Sequence, residues 1–374
     1  MDLDVAVVGG GVVGLACAVE LARTRQVAVI ERHERAGLET SSHNSGVIHA
    51  GIYYPTGSLK HTLCIEGNPL LYAWADEHGV PAVRLGKLII AVDETELDTL
   101  EGVRAQAAAN GVPGMSMIDD AATRRELEPS VRCVAALYSK TTGVIDQLQL
   151  MASYEHAIEA RGGWLALKHD MIAVERIDGG FEVRMTAPDG SATSVRAETL
   201  VNSAGLGAPA VGAMLGYPLD GSDASPAIRQ SVNKGRYYDI VTPAKARALN
   251  HLVYPVPEHA KGGLGVHVTI DAGGLVHLGP DTEWLDDGVP LDYRADDLRR
   301  ADFLAAAQRY LPDLQDEDIA PGQVGYRPKL QRPGGPIADF LIWHDRGYVH
   351  LGGIESPGMT ASLAIARRVA GLLS

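Results

Sequence analysis

Cysteine is scarce in this chain. Cys17, Cys64 and Cys133 are the three in 374 residues, an odd number, widely spaced and without a Cys-x-x-Cys pair. Neither a disulfide framework nor a metal site is indicated, and a reducing, cytoplasmic setting fits, with peripheral association with a membrane left open. Basic residues are also outnumbered, 33 Lys and Arg against 47 Asp and Glu, for a formal charge of −14. That sign disfavours nucleic acid or an anionic membrane surface as the main partner, while a local basic pocket can still take a small anion. Long apolar runs are lacking as well. The uncharged stretch from Val5 to Val19 is broken by Gly9, Gly10, Gly11 and Gly14, and it follows Asp2 and Asp4 with no Lys or Arg before Arg23. Neither a signal peptide nor a transmembrane helix is expected. No repeat or low-complexity tract occurs. Turn clusters at Pro113-Gly114, Asp178-Gly179-Gly180, Pro188-Asp189-Gly190 and Arg332-Pro333-Gly334-Gly335 read as punctuation between elements.

What is present is concentrated at the start. Residues 5–31, VAVVGGGVVGLACAVELARTRQVAVIE, predict a strand, a glycine turn, a helix and a second strand ending in an acid. Gly9 permits the tight turn, Gly11 lets backbone N–H groups approach a pyrophosphate, and Gly14 lets the helix lie close on the sheet. Val12 and Val13 open that helix. Glu31, followed by Arg32, is placed to bond ribose hydroxyls. The pattern as a whole predicts a dinucleotide site.

A length of 374 residues suggests about two domains. A nicotinamide dehydrogenase would continue with βα units in quick succession, and this chain does not. After Glu31 comes the loop TSSHNSGVIHAGIYYPTGSLK, then a predicted helix over 63–78, a strand over 87–92 and a helix over 94–110. GWLALKHDMIAVERI and GGFEVRMT read as successive strands. LVNSAGLGAPAV and YVHLGGIESPGMTASLAIARRVAGLL each give a strand, a small-residue turn and a helix. Three such turns, at the start, middle and end, predict one nucleotide domain assembled from separate pieces.

The first unit, SSHNSGVIHAGIYYPTGSLK, NSAGL, YPVPEHAKGGLGVHVT, HLGPDTEWL and GIESPGMTASLAIA together resemble the glycine-oxidase and D-amino-acid-oxidase-like superfamily of FAD enzymes. Within it they are similar to the L-2-hydroxyglutarate dehydrogenase (oxidase) family, from about residue 4 to 372. The resemblance implies a mixed α/β (α+β) fold. It comprises a Rossmann-like FAD-binding domain of the glutathione-reductase type, discontinuous over 1–85, 140–220 and 322–374, and an antiparallel-sheet substrate domain over 86–139 and 221–321. It places Thr40, Ser41, Ser42, Asn44, Ser45 and Gly46 along the cofactor, the backbone of Ile172 at the adenine, and Ala204 and Gly205 under the nucleotide. Gly353, Ile354, Glu355, Ser356, Pro357, Gly358, Met359 and Thr360 form the last turn. There, uncrowded backbone N–H groups at a helix start suit the flavin N1 and C2=O region. The FAD is expected to be non-covalent, although His43, His49 and Cys64 are nucleophiles in the right segments.

Basic and aromatic residues gather on the substrate side. Oxidation of a 2-hydroxy acid needs a base for the hydroxyl proton and cations for the carboxylate. A His is the residue suited to the base near neutral pH, with His267 the first candidate and His49 the second. Arg327 offers a bidentate grip on a carboxylate, in a turn fixed by its neighbours. Tyr254, Tyr237, Lys60 and Lys329 are the other substrate-binding candidates. The family pattern has Ala-Gln after that Arg, whereas this chain has Pro328 and Lys329. The resemblance therefore implies an FAD enzyme oxidising a small anionic 2-hydroxy acid, L-2-hydroxyglutarate being the first expectation. An amino-acid or secondary-amine oxidase is the rival, and the electron acceptor, O₂ or a quinone or electron-transfer partner, is left open.

Overall fold

Two short runs rich in β-branched residues, Leu3–Val8 and Val27–Ile30, pair in parallel on either side of helix Val12–Leu21. Nearly every residue of both strands is buried, as befits a parallel sheet covered on both faces. These are the elements expected for the first unit. The computed structural model describes residues 1–257 and 266–374. Part of the YPVPEHAKGGLGVHVT block, from 258 to 265, thus lies outside the described residues.

The first sheet runs Asp170–Ile177, Gly180–Thr186, Ala192–Asn202, Leu3–Val8, Val27–Ile30, Trp164–Ala166. Strand Ala192–Asn202 is eleven residues long and so serves two neighbours on one side. Its residues 192–197 pair antiparallel with Gly180–Thr186, and its residues 200–202 pair parallel with Tyr348–Gly352. Val8, Asn202 and His350 therefore lie in register across three strands drawn from the start, middle and end of the chain. The turns that follow these strands open at one carboxyl edge, where ligands of such sheets bind.

Helix Leu59–His78 begins four residues before the expected start because Ser58 caps it, its hydroxyl accepting from the His61 N–H at 3.1 Å. It ends at Gly79, which takes the left-handed conformation (φ 66°). Its Gly67 touches the terminal helix Gly358–Leu372 so closely that a Cβ there would lie 2.2 Å from the Thr360 carbonyl oxygen. The last helix is thereby held between Leu59–His78 and Val12–Leu21 within one apolar core.

Among the described residues the second sheet has nine strands: Glu283–Trp284, Ser231–Ile240, Val276–Leu278, Val268–Ile270, Leu252–Pro255, Lys87–Ala91, Ala135–Ser139 and Met115–Ile118 in order, with Ile319–Lys329 along Ser231–Ile240. It is antiparallel as expected, except that Leu252–Pro255 and Lys87–Ala91 pair in parallel. Those two strands come from different segments of the chain, and the long connection between them passes through the first sheet, which leaves room for a parallel crossover. The boundary expected at 322 falls inside strand Ile319–Lys329, which belongs with the second sheet. A small sheet of Val47–Ile48, Gly143–Ile145 and Ala82–Val83 lies between the expected pieces. No helix among the described residues is long and apolar enough to cross a membrane.

Candidate active site

The carboxyl edge of the first sheet and one face of the second enclose a cavity of about 1330 Å³. Its nucleotide end is built by glycines with different tasks. Gly9 sits at φ 101°, and a Cβ on it would lie 2.6 Å from the Ser203 carbonyl oxygen. Gly14 faces inward, where a Cβ would lie 2.0 Å from the Gly9 carbonyl oxygen, so it closes helix on strand and does not line the cavity. A Cβ on Gly11 would meet only the Ser41 hydroxyl, at 3.0 Å. The space Gly11 keeps clear is therefore cavity, which suits a pyrophosphate.

Helix Val12–Leu21 starts at Gly11 without a side-chain cap. The Val12 N–H donates to Ser41 Oγ at 3.0 Å, and Val13 lines the wall beside it. Glu31 lies in the cavity with both oxygens oriented, Oε2 accepting from the Gly10 N–H and Oε1 from the His33 N–H, each at 2.8 Å. Arg32 also lines the cavity, its guanidinium paired with Glu39. These features fit an adenosine ribose and pyrophosphate.

The segment 40–46 folds on itself. Asn44 Nδ2 donates to the Ser41 carbonyl at 2.8 Å while its Oδ1 accepts from the Gly46 N–H at 2.9 Å. Thr40 Oγ1 donates to the Tyr326 carbonyl at 2.8 Å. Thr40, Ser41, Asn44 and Ser45 reach the cavity; Ser42 and Gly46 do not. Ser42 is turned to the Glu39 carbonyl, and Gly46 (φ 64°) approaches the Ile145 carbonyl. Ala204 and Gly205 line the nucleotide end. Near Ile172 the wall is made by His169, Asp170 and Met171, and the Ile172 side chain is 53% exposed. Ile172 is the bulge residue between the Met171 and Ala173 pairings, so its side chain points away and its backbone is left out of the ladder.

The last turn runs from Gly353 to helix Gly358–Leu372, which has no side-chain cap. Ile354 through Thr360 line the cavity, whereas Gly353 (φ 63°) lies behind it and donates its N–H to Gln230 Oε1 at 2.6 Å. Glu355 takes both candidate lysines, Lys60 Nζ at 2.8 Å and Lys329 Nζ at 2.7 Å. Burial pushes the Glu355 carboxyl up, but the two ammonium groups outweigh it and hold it below its ordinary value. Burial drives Lys329 below the ordinary lysine value, with Glu355 restoring part of the difference. Lys60, expected on the substrate side, is buried, lies outside the cavity wall and pairs with Glu355. Lys329 does line the cavity, with its charge already shared.

Arg327 lies in strand Ile319–Lys329 and not in the expected turn, opposite Asn233 in register. Its Nη1 donates to Asn233 Oδ1 at 2.6 Å and its Nη2 to the Asp281 carbonyl at 3.1 Å. Gly235 makes room, since a Cβ there would lie 2.6 Å from Nη2. Among the described residues no carboxylate pairs with Arg327, so its charge remains for a ligand. Asn233 also accepts from the Thr282 hydroxyl, and its buried Nδ2 has no partner. Sequence reasoning missed Asn233, because nothing in NKGRYY announces that it faces an arginine 94 residues away.

The two candidate bases meet in the same cavity, with Tyr237 and Tyr254 beside them. His267 stacks on Tyr254, ring centroids 3.8 Å apart. His49 Nε2 lies 3.1 Å from Ser356 Oγ, and its backbone N–H donates to Thr360 Oγ1 at 3.0 Å. Burial, followed by the charge of Lys87, pulls both imidazoles down to about 3, so each is neutral near pH 7 and can accept a proton. Lys87 was not anticipated, although a lysine opening the apolar run KLIIA was a visible signal. Cys64 is buried outside the cavity, its thiol donating to the His49 carbonyl at 3.5 Å.

A family model described as FAD dependent oxidoreductase matches residues 4–372. The mitochondrial L-2-hydroxyglutarate dehydrogenase of Arabidopsis thaliana is 37% identical, over 98% of this chain and 83% of that protein. Its counterpart from Caenorhabditis elegans is 31% identical, over 98% of this chain and 92% of that protein. Dithionite-reduced L-alpha-glycerophosphate oxidase from Mycoplasma pneumoniae, solved with FAD bound, superposes with a TM-score of 0.85 at 26% identity, over 99% of this chain and 94% of that one. With the family model matching residues 4–372 and a relative 37% identical over 98% of the chain, this protein belongs to the FAD-dependent oxidoreductase family, among its L-2-hydroxyglutarate dehydrogenase relatives.

Proposed function

We propose that this protein oxidises an L-2-hydroxy acid to the 2-oxo acid, with L-2-hydroxyglutarate as the first substrate to test. The observation that carries the reading is Arg327: a half-buried guanidinium in the cavity, oriented by Asn233 and Asp281 and left without a carboxylate partner among the described residues. A planar carboxylate meets its remaining N–H groups as a fork. The named relatives support the choice of a 2-hydroxy dicarboxylate.

Bound FAD supplies a hydride acceptor at flavin N5. The chain's own contribution is orientation and proton transfer. Arg327 fixes the carboxylate, and His267 or His49 takes the hydroxyl proton on a neutral ring nitrogen. The Tyr237 and Tyr254 rings exclude water from the α-carbon side. Lys329, which replaces the family's Gln, brings an ammonium to the wall, but one held by Glu355. Asn233 acts from behind Arg327, its Oδ1 orienting the guanidinium, while its own Nδ2 is buried. Gly11, Glu31, Ser41 and the turn from Ile354 to Thr360 would hold the cofactor, non-covalently. The partition into a cofactor domain and a substrate domain is part of the same reading, with the last boundary moved beyond Lys329. A reducing compartment is supported by three free cysteines.

Anaerobic bleaching of the bound flavin by a panel of hydroxy acids and amino acids tests the substrate class. Reduction by L-2-hydroxyglutarate with formation of 2-oxoglutarate is expected. Bleaching by amino acids alone would transfer the assignment to the amine-oxidising rival. Reoxidation of the same sample by air or by a quinone identifies the acceptor.

A further inference from the structure

We propose that Lys87 is a positioning residue for the proton transfer: a buried cation behind the Tyr53 and Tyr254 rings whose charge sets how readily the His49 and His267 pair holds the substrate's proton. The identity of that proton rests on the hydroxy-acid reading above.

Lys87 opens strand Lys87–Ala91, all of it buried, and is itself only 1% exposed. Among the described residues its ammonium has neither a carboxylate nor a hydrogen-bond acceptor as partner. It rests between two ring faces, with Nζ 4.8 Å from the Tyr53 centroid and 4.6 Å from that of Tyr254. Both rings line the cavity; Lys87 does not. Tyr254 in turn carries the stacked His267 on its ring. The arrangement is therefore a chain of contacts from a hidden cation, through an aromatic wall, to one candidate base, with the second close enough to feel the same charge.

A buried lysine without a carboxylate is costly, and a protein retains one for a reason other than stability. Burial brings Lys87 from the ordinary lysine value down to about 7, so its charge can be lost near neutral pH. Among the described residues, every titratable group that faces it stays uncharged there. Helix Leu59–His78 presents Cys64, whose thiol burial pushes up to about 12. The loop after His49 presents Tyr53 and strand Leu252–Pro255 presents Tyr254, both pushed up by burial. His49 and His267 lie at about 3. Strand Ala135–Ser139 places Ser139 opposite Lys87, and helix Leu97–Ala109 lays apolar Leu100, Val103 and Ala107 on the same strand. Among the described residues of this cluster, Lys87 is thus the group that changes charge between pH 6 and 8.

In the reaction the substrate O–H bond breaks and its proton passes to an imidazole nitrogen, while the α-C–H pair leaves as hydride to the cofactor and a C=O bond forms. A charged Lys87 opposes the imidazolium that results. A neutral Lys87 does not. The rate of flavin reduction should therefore rise as Lys87 loses its proton, although Lys87 never touches the substrate.

The first test needs no substrate. In oxidised holoprotein labelled with 13C-lysine, the signal lost in Lys87→Met should titrate near 7, and a midpoint near the ordinary lysine value overturns the proposal. In Lys87→Met the histidine midpoints should rise, and unchanged midpoints count against it. The variant should also melt at a higher temperature than wild type at pH 6, because an unpaired buried charge is gone; a purely structural lysine predicts the reverse. With substrate, rapid-mixing reduction should show a rising limb near pH 7 in wild type, no such limb in Lys87→Met, and slow reduction throughout in Lys87→Arg, which stays charged. A limb that survives in Lys87→Met overturns the proposal. If no hydroxy acid bleaches the flavin, the functional reading fails by itself, while the lysine and histidine titrations still decide the role of Lys87.

Discussion

Tyr254 and His267 lie ring on ring, their planes 5° from parallel. The cause is strand register: Val253 pairs with Val268 in an antiparallel ladder, which sets the next residue of one strand opposite the preceding residue of the other. His267 is held by its neighbour's ring, whereas His49 is held by hydrogen bonds. Two candidate bases with different supports should respond differently to substitution.

His267→Gln should slow flavin reduction by about 10²- to 10⁴-fold, the ordinary worth of a positioned base, with substrate binding largely kept. Rapid mixing against substrate concentration separates rate from affinity. Reduction at the normal rate would pass the role to His49, for which His49→Gln should then show the loss.

Arg327→Lys should weaken substrate binding about ten- to a hundred-fold, because a point charge cannot reproduce a two-bond fork and a charged hydrogen bond is worth about 1.5–3 kcal/mol. Asn233 Oδ1 and the Asp281 carbonyl would also lose their donor geometry. The concentration dependence of bleaching reads this directly; normal affinity would move the carboxylate grip to another residue.

Gly11→Val should purify with little or no yellow colour, since its side chain would enter the cavity beside Ser41. Full FAD occupancy in that variant would contradict the assignment of the turn. In wild type the colour should leave the protein on acid precipitation; Cys64 lies outside the cavity, whereas His43 and His49 line it and are the residues a covalent link would use. Colour retained in the pellet would mean a covalent link.

Glu355→Gln should destabilise the protein by about 3–5 kcal/mol, the usual loss when one partner of a buried ion pair is removed, here leaving Lys60 and Lys329 against each other. Denaturant unfolding measures it. A loss below about 1 kcal/mol would show that the two ammonium groups are better hydrated than their burial suggests.

Stability should fall on acidification earlier than ordinary carboxylates require. His49 and His267 are lowered from 6.5 to about 3, so between those values the folded protein binds fewer protons than the unfolded chain. Their contribution is complete above pH 6.5 and is lost as pH falls toward 3; Glu355, also lowered, adds a loss below its ordinary 4.5. Unfolding midpoints that stay flat from pH 7 to pH 5 would contradict neutral buried histidines.

Much of the cofactor end was legible because its signals are local. A glycine that keeps φ positive, a helix starting behind it and an acid closing the next strand are set by neighbours in sequence, and the structure has all three at Gly9, Val12 and Glu31. The start, middle and end turns were legible for the same reason. Ile172 was harder, since a bulge depends on the partner strand's register.

The sequence by itself determined a discontinuous cofactor fold and a set of histidines, tyrosines and cations on the substrate side. Only the tertiary structure decided how those charges divide. Lys60 and Glu355 are 295 positions apart, yet their pairing removes one candidate from the substrate and binds a second, Lys329. Arg327 is left uncommitted because its strand sets it against Asn233, a neutral partner. Charge pairing follows from which side chains are packed within a few ångströms, and that distance is fixed by sheet register and helix packing across the whole chain, where local sequence carries no record of it.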